Sequence, residues 1–208
     1  MTGSEPLSFI HRFQPATGPA ATPLLLLHGT GGNEDDLLPL GRMISPPSAL
    51  LSPRGQVLEN GMPRFFRRLA EGVFDEADLR RRASELADFI GHARDRYAIA
   101  KPVAIGYSNG ANIAAALMLL QPGVLSGAIL LRAMAPFRDP PHAELAGAPV
   151  LILSGAADPI VPAKNALQLA DTLRNVGALV DHRSIQAGHE LSKADVATAK
   201  TWLQQHQT

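Results

Sequence analysis

The chain of 208 residues contains no cysteine. That absence excludes disulfides, thiolate metal sites and a cysteine nucleophile together. It also lacks net charge, with 19 Lys+Arg balanced by 19 Asp+Glu. Nothing therefore steers it toward nucleic acid or an acidic membrane. No apolar run approaches the ~20 residues that span a bilayer. The first five residues, Met1-Thr2-Gly3-Ser4-Glu5, have neither the basic nor the apolar block of a signal peptide, so a cytoplasmic location is expected. What is present is an ordinary globular composition, 46% hydrophobic and 18% charged, in a length suited to one domain over residues 1–208.

The most informative stretch is Gly106-Tyr107-Ser108-Asn109-Gly110, which reads G-x-S-x-G. A short β-branched run, Val103-Ala104-Ile105, precedes it, and the Ala- and Leu-rich stretch from Ala111 to Leu120 follows. Strand, sharp turn and helix form a nucleophile elbow, which presents a serine hydroxyl at the C-terminal edge of a sheet. The glycines permit a strained turn and close packing of helix on strand.

Strands and helices alternate along the rest of the chain. Expected strands are Ser8 to Phe13 (an antiparallel opening strand), Leu24 to Leu27, Ala49 to Leu51, Gly127 to Leu131, Val150 to Leu153 and Val180 to Ile185. Expected helices run from Leu79 to Tyr97, Ala163 to Val176 and Glu190 to Gln205. Apolar strands joined by helices indicate a mainly parallel sheet in a three-layer α/β domain. Glu59 to Asp78 fits no regular element. It contains Phe65, Phe66 and Phe74 among Arg64, Arg67 and Arg68. It reads either as a surface excursion or as a pocket-lining loop in which Met62, Phe65, Phe66 and Phe74 supply apolar wall to a substrate.

A serine nucleophile requires a base and an orienting carboxylate, in the chain order serine, acid, histidine. Among the downstream acids only Asp158 directly follows a strong strand. Asp171 falls within a helix and Asp139 in a proline-rich turn. Of the later histidines, His182 lies inside the last strand and His206 in the tail. His189, in Ala187-Gly188-His189-Glu190, sits between strand and closing helix and is the expected base. Backbone N–H groups must also stabilise an oxyanion, and losing one such donor costs ~3 kcal/mol. Asn109, next to the serine, and Thr30, in the Gly-rich turn after Leu27, are the expected donors. That turn lacks the Gly-Lys-Ser/Thr ending of a phosphate-binding loop. His28 reads as a structural hydrogen-bonder beneath it.

Four blocks then carry a family resemblance: Leu27-His28-Gly29-Thr30-Gly31-Gly32-Asn33, Gly106 to Asn112, Ser154-Gly155-Ala156-Ala157-Asp158-Pro159, and Ala187-Gly188-His189-Glu190. In this order they resemble the phospholipase/carboxylesterase family of α/β-hydrolases, the bacterial carboxylesterases in particular. The chain is more distantly similar to acyl-protein thioesterases and dienelactone hydrolases. The resemblance spans about residues 22 to 205. It implies a triad of Ser108, Asp158 and His189, with oxyanion donors from Thr30 and Asn109. It further implies a small-molecule carboxylic ester as substrate, no cofactor or metal, and an open site without a large cap. Dienelactone hydrolases carry cysteine where this chain has Ser108, which argues against that activity. A thioesterase or acyltransferase would use the same residues, and a non-catalytic binding protein of this fold would usually have lost one. The sequence leaves oligomeric state open, a homodimer being the common outcome among soluble oligomers.

Overall fold

The computed structural model describes residues 7–18 and 21–206. The signal-peptide reading of Met1 to Glu5 concerns residues outside that range. In chain order the strands are β1 (His11–Gln14), β2 (Leu24–Leu27), β3 (Leu50–Pro53), β4 (Val57–Glu59), β5 (Met62–Arg64), β6 (Arg68–Ala70), β7 (Val73–Phe74), β8 (Val103–Tyr107), β9 (Gly127–Leu131), β10 (Pro149–Gly155) and β11 (Leu179–Ile185). The helices are α1 (Leu38–Ile44), α2 (Glu76–Tyr97), α3 (Asn109–Leu120), α4 (Ala163–Asn175) and α5 (Lys193–His206). Seven strands form one sheet in the order β1-β3-β2-β8-β9-β10-β11. All its pairings are parallel except that of β1 with β3.

Strand periodicity divides the core into two layers. Leu25, Leu27, Ala104, Leu130 and Ile152 pack with α2, α3 and α4 on one face. Leu24, Leu26, Ile105, Ile129 and Leu151 pack with Leu40 and Ile44 of α1 and with Ala199, Trp202 and Leu203 of α5 on the other. The fold is therefore the three-layer α/β-hydrolase arrangement, with β8 and the elbow at the centre of the sheet.

Several parts depart from the sequence expectation. The short helix α1, with Pro39 at its start and Gly41 within it, offers too little periodicity to read. The segment expected to be irregular forms two small antiparallel hairpins, β4–β5 and β6–β7. Asn60 and Gly61 adopt positive φ at the first turn, as does Gly72 at the second. The segment is anchored to α2, whose N-cap Asp75 accepts from the Asp78 N–H at 3.0 Å. The buried Asp78 carboxylate in turn accepts from the Arg67 N–H at 2.8 Å. The closing helix begins at Lys193, three residues after Glu190 where the sequence placed it.

Candidate active site

The elbow is built as its residue types require. Ser108 has φ 51° and ψ −114°, a conformation that costs a non-glycine residue energy and turns the chain sharply from β8 into α3. A β-carbon on Gly106 would stand 2.5 Å from the carbonyl oxygen of Gly110 and 2.6 Å from the Cα of Ala111. One on Gly110 would overlap the carbonyl group of Leu27. Both positions therefore exclude any side chain, and α3 packs directly against the end of β2.

The strands β8, β10 and β11 all end at the same edge of the sheet. Ser108 follows β8, Asp158 follows β10, and His189 follows β11. The His189 ring bridges the other two: Nε2 lies 3.0 Å from Ser108 Oγ, and Nδ1 lies 2.9 Å from Asp158 Oδ2. An ionised carboxylate can only accept, so Nδ1 holds the proton and Nε2 offers a lone pair to the serine hydroxyl. Burial on its own would raise the Asp158 pKa. Hydrogen bonds from the Val161 N–H, from His189 and from the Ile160 N–H outweigh it and hold the carboxyl below the usual carboxylate range. Its Oδ1 receives those amides at 3.0 and 2.8 Å, leaving Oδ2 for the imidazole.

The turn after β2 lies beside the serine. Gly31 has φ 83°, and its N–H donates to Pro63 O at 2.9 Å. Among the described residues the main-chain N–H groups of Thr30 and Asn109 find no acceptor. The Thr30 hydroxyl accepts from Arg64 at 2.7 Å, and Asn109 Oδ1 accepts from the Phe65 N–H at 2.8 Å. The β5 end is thus fastened to both the turn and the elbow. His28 donates through Nδ1 to Gly29 O at 2.6 Å and accepts at Nε2 from the Gly55 N–H at 2.9 Å. Both nitrogens are used, and burial lowers its pKa, so it is a neutral structural group and not a second base.

A cavity of about 40 Å³ opens at Ser108. Phe74, Met134, Ile160 and Val161 supply its apolar wall, and Thr30, Arg64, Arg68, Asn112 and Arg132 its polar one. Three expected wall residues, Met62, Phe65 and Phe66, are placed elsewhere. Phe65 and Phe66 are 2% and 0% exposed and belong to the core beneath α2 and α3, so the expectation that they line the pocket is corrected. Their backbone turns inward because the Phe65 N–H is bound by Asn109 and the Phe66 carbonyl by Arg64. Phe66 reaches the site only through Phe74, which meets it edge to face at 5.1 Å. Met62 is 40% exposed and packs over Gly31, outside the cavity wall. A larger groove of about 660 Å³ runs between residues 7–9 and α2, and shares no residue with the Ser108 cavity.

The downstream residues set aside as acid or base do lie apart from this cluster. Asp171 pairs with Arg174 within α4 at 3.1 Å. His182 bonds Ser154 Oγ at 2.9 Å, and His206 stacks on Trp202 at 4.4 Å. Sequence reading missed Arg132, which follows β9 directly and borders the cavity. Its one visible signal is a charged residue immediately after a fully apolar strand at the functional edge. Among the described residues no group of three or more His, Asp or Glu side chains gathers to hold a metal ion, and no helix is long and apolar enough to cross a membrane.

Comparison with known proteins gives a consistent relationship. The sequence model of the phospholipase/carboxylesterase family matches residues 10–207. The "Putative hydrolase MhqD" of Bacillus subtilis (strain 168) is 48% identical over 184 residues, covering 88% of this chain and 92% of that protein. The crystal structure of the Bacillus cereus carboxylesterase superposes with a TM-score of 0.93 at 46% identity, covering 95% of this chain and 94% of that one. A carboxylesterase from Mesorhizobium loti gives a TM-score of 0.91 at 35% identity, covering 95% of each chain. With the elbow, the strand order and these relatives in agreement, the chain belongs to the phospholipase/carboxylesterase family of α/β-hydrolases.

Proposed function

We propose that the protein hydrolyses carboxylic esters through an acyl-enzyme on Ser108, with His189 as base and Asp158 as its orienting carboxylate. The observation that carries this reading is the single imidazole set between the serine hydroxyl and a buried carboxylate, at 3.0 and 2.9 Å. Ser108 Oγ attacks the ester carbonyl while His189 Nε2 takes its proton. The carbonyl oxygen, now negative, is received by the N–H groups of Thr30 and Asn109. Collapse of the tetrahedral intermediate expels the alcohol, to which His189 returns the proton. Water then enters, His189 deprotonates it, and a second tetrahedral intermediate releases the carboxylic acid and restores Ser108. Asp158 keeps the imidazole in the productive tautomer and stabilises the imidazolium as it forms.

The small cavity favours short acyl groups. The space beside Ser108 is narrow and partly open to solvent, with Phe74, Met134 and Val161 on its apolar side. The relatives named as carboxylesterases support an oxygen ester over other acyl compounds as substrate.

A fluorophosphonate probe, which reacts with activated serines, tests the nucleophile. Stoichiometric labelling at Ser108 is expected, together with loss of nearly all p-nitrophenyl acetate turnover in Ser108→Ala. A small residual rate from the oxyanion donors is consistent with the mechanism. Labelling at another residue, or full turnover in Ser108→Ala, overturns it.

A further inference from the structure

The loop that carries His189 has four consecutive carbonyl groups, and each is held by a donor. Ala187 O accepts from the Ala157 N–H at 3.1 Å. Gly188 O accepts from Arg132 Nε at 2.9 Å, and Glu190 O from a terminal nitrogen of the same guanidinium at 3.1 Å. Between them, His189 O accepts from the Tyr107 hydroxyl at 3.2 Å. Arg132 thus grips the backbone on both sides of the imidazole-bearing residue, and Tyr107 grips that residue itself.

Arg132 is fully buried, which for a charge requires a full set of partners. It has them. Besides the two loop carbonyls, it donates to Asp195 Oδ1 at 2.7 Å, to Asp195 Oδ2 at 2.9 Å and to Leu153 O at 3.2 Å. These five bonds use the five N–H donors of a guanidinium. Asp195 is itself fixed, Oδ2 accepting from the Ser192 N–H and hydroxyl, both at 2.8 Å. The backbone of Arg132 adopts φ 56°, which an L-residue rarely occupies, at the point where β9 leaves the sheet.

An ion pair fastening β9 to α5 would serve as a staple by itself. Stapling does not account for the two remaining donations to Gly188 and Glu190, nor for the Tyr107 hydroxyl reaching the same loop from the residue adjoining Ser108. We infer that Arg132, oriented by Asp195, and Tyr107 are positioning residues that clamp the main chain around His189 and so fix the distance from its imidazole to Ser108. The inference rests on the reading of His189 as the base. Its physical basis is that displacing a reacting group by ~1 Å costs on the order of 100-fold in rate. Gly188 gives the loop no side chain of its own to lock it.

The test is a double-mutant cycle on p-nitrophenyl acetate, with kcat, KM and melting temperature measured for each variant. Tyr107→Phe removes one hydroxyl and should lower kcat about threefold to tenfold, the value of one hydrogen bond. Arg132→Lys keeps the charge but cannot span two carbonyls and a carboxylate, and should lower kcat roughly 10- to 100-fold. KM should stay within about twofold in Tyr107→Phe, whose hydroxyl lies outside the Ser108 cavity, so the loss there falls on kcat. Placed in a His189→Ala background, each change should leave the residual rate unaltered, since the clamp acts only through that ring. Unchanged kcat in the folded variants, or losses that persist in full without His189, would overturn the clamp. If Arg132→Lys does not fold, Tyr107→Phe decides the question alone. Undiminished turnover in His189→Ala by itself would instead refute the base assignment, and the clamp with it.

Discussion

Gly155, the last residue of β10, lies against Gly188 with no room for a side chain between them. A β-carbon at position 155 would overlap the Gly188 carbonyl oxygen and stand 2.7 Å from that of Ala187. Both oxygens are backbone atoms, so the clash cannot be relieved by a rotamer change. The strand leading to Asp158 and the loop bearing His189 are thereby held at the separation the imidazole spans.

Gly155→Ala should therefore push the His189 loop outward. We expect kcat on a short ester to fall by about 10- to 100-fold, as for other displacements of a reacting group by about 1 Å. The protein should stay folded, because the strain falls on an edge loop. Steady-state kinetics with circular dichroism will check this. Wild-type turnover in a folded Gly155→Ala protein would show that the loop tolerates the shift.

The two phenylalanines of the hairpin segment lead to a different expectation. Phe65 and Phe66 are buried core residues, so truncating either to alanine should cost about 3–5 kcal/mol of stability. Any loss of turnover should then be equal across acyl lengths. Phe74 borders the cavity, and Phe74→Ala lengthens it. Activity should shift toward longer acyl chains, by about fourfold in kcat/KM for each added methylene that becomes buried. A p-nitrophenyl series from acetate to octanoate distinguishes the cases. A chain-length profile identical to wild type in Phe74→Ala would remove this residue from the acyl wall.

These placements show why some of the site could be read from sequence and some could not. Ser108 and Asp158 each follow a strong apolar strand and His189 the more polar last strand, and parallel strands deliver their C-terminal ends to one edge, so order and position sufficed to nominate them. The elbow glycines announced themselves by spacing. Phe65 and Phe66 could not be placed, because the inward turn of the bend between the two hairpins depends on the Asn109 and Arg64 hydrogen bonds. Those partners lie 44 residues away for the first bond and two for the second. The role of Arg132 was not legible for a related reason, despite its place right after an apolar strand. Its partners at 153, 188, 190 and 195 are assembled only by the sheet.

Gly91 offers a simple stability test. It lies within α2, away from the site, and a β-carbon there meets nothing within 4 Å. Its φ is not positive, so alanine fits the backbone as it stands. Gly91→Ala should stabilise the protein by about 0.5–1 kcal/mol through helix propensity, raising the melting temperature by roughly 1–4 °C. Activity should be unchanged. A lowered melting temperature would mean that this face of α2 packs against something further.

Acid should weaken the fold in two stages. Burial lowers the pKa of His28 and of His182, so both resist protonation in the folded state. In the unfolded chain the same residues take up protons near ~6.5. Below that value the unfolded state binds more protons than the native one. Stability is then complete above ~6.5 and declines as the pH falls toward the two folded values. The second stage is shared by several carboxylates that hydrogen bonds hold in the ionised form, Asp158 and Asp195 among them. For each, burial would raise the pKa, but hydrogen bonds outweigh it: from the Val161 N–H, His189 and the Ile160 N–H for Asp158, and from Arg132 and Ser192 for Asp195. Their folded values lie below the ordinary carboxyl value of ~3.9, so their contribution persists above that pH and is lost as the medium is acidified through the folded values. Urea midpoints measured from pH 8 to pH 3 should show a first decline below ~6.5 and a steeper one below ~4. A midpoint constant from pH 8 to ~4.5 would contradict the histidine stage, since no carboxylate considered above titrates in that window. Asp195→Asn should diminish the second stage while lowering the midpoint at pH 7, because it removes the one carboxylate that holds Arg132 and leaves a single neutral side-chain oxygen in its place.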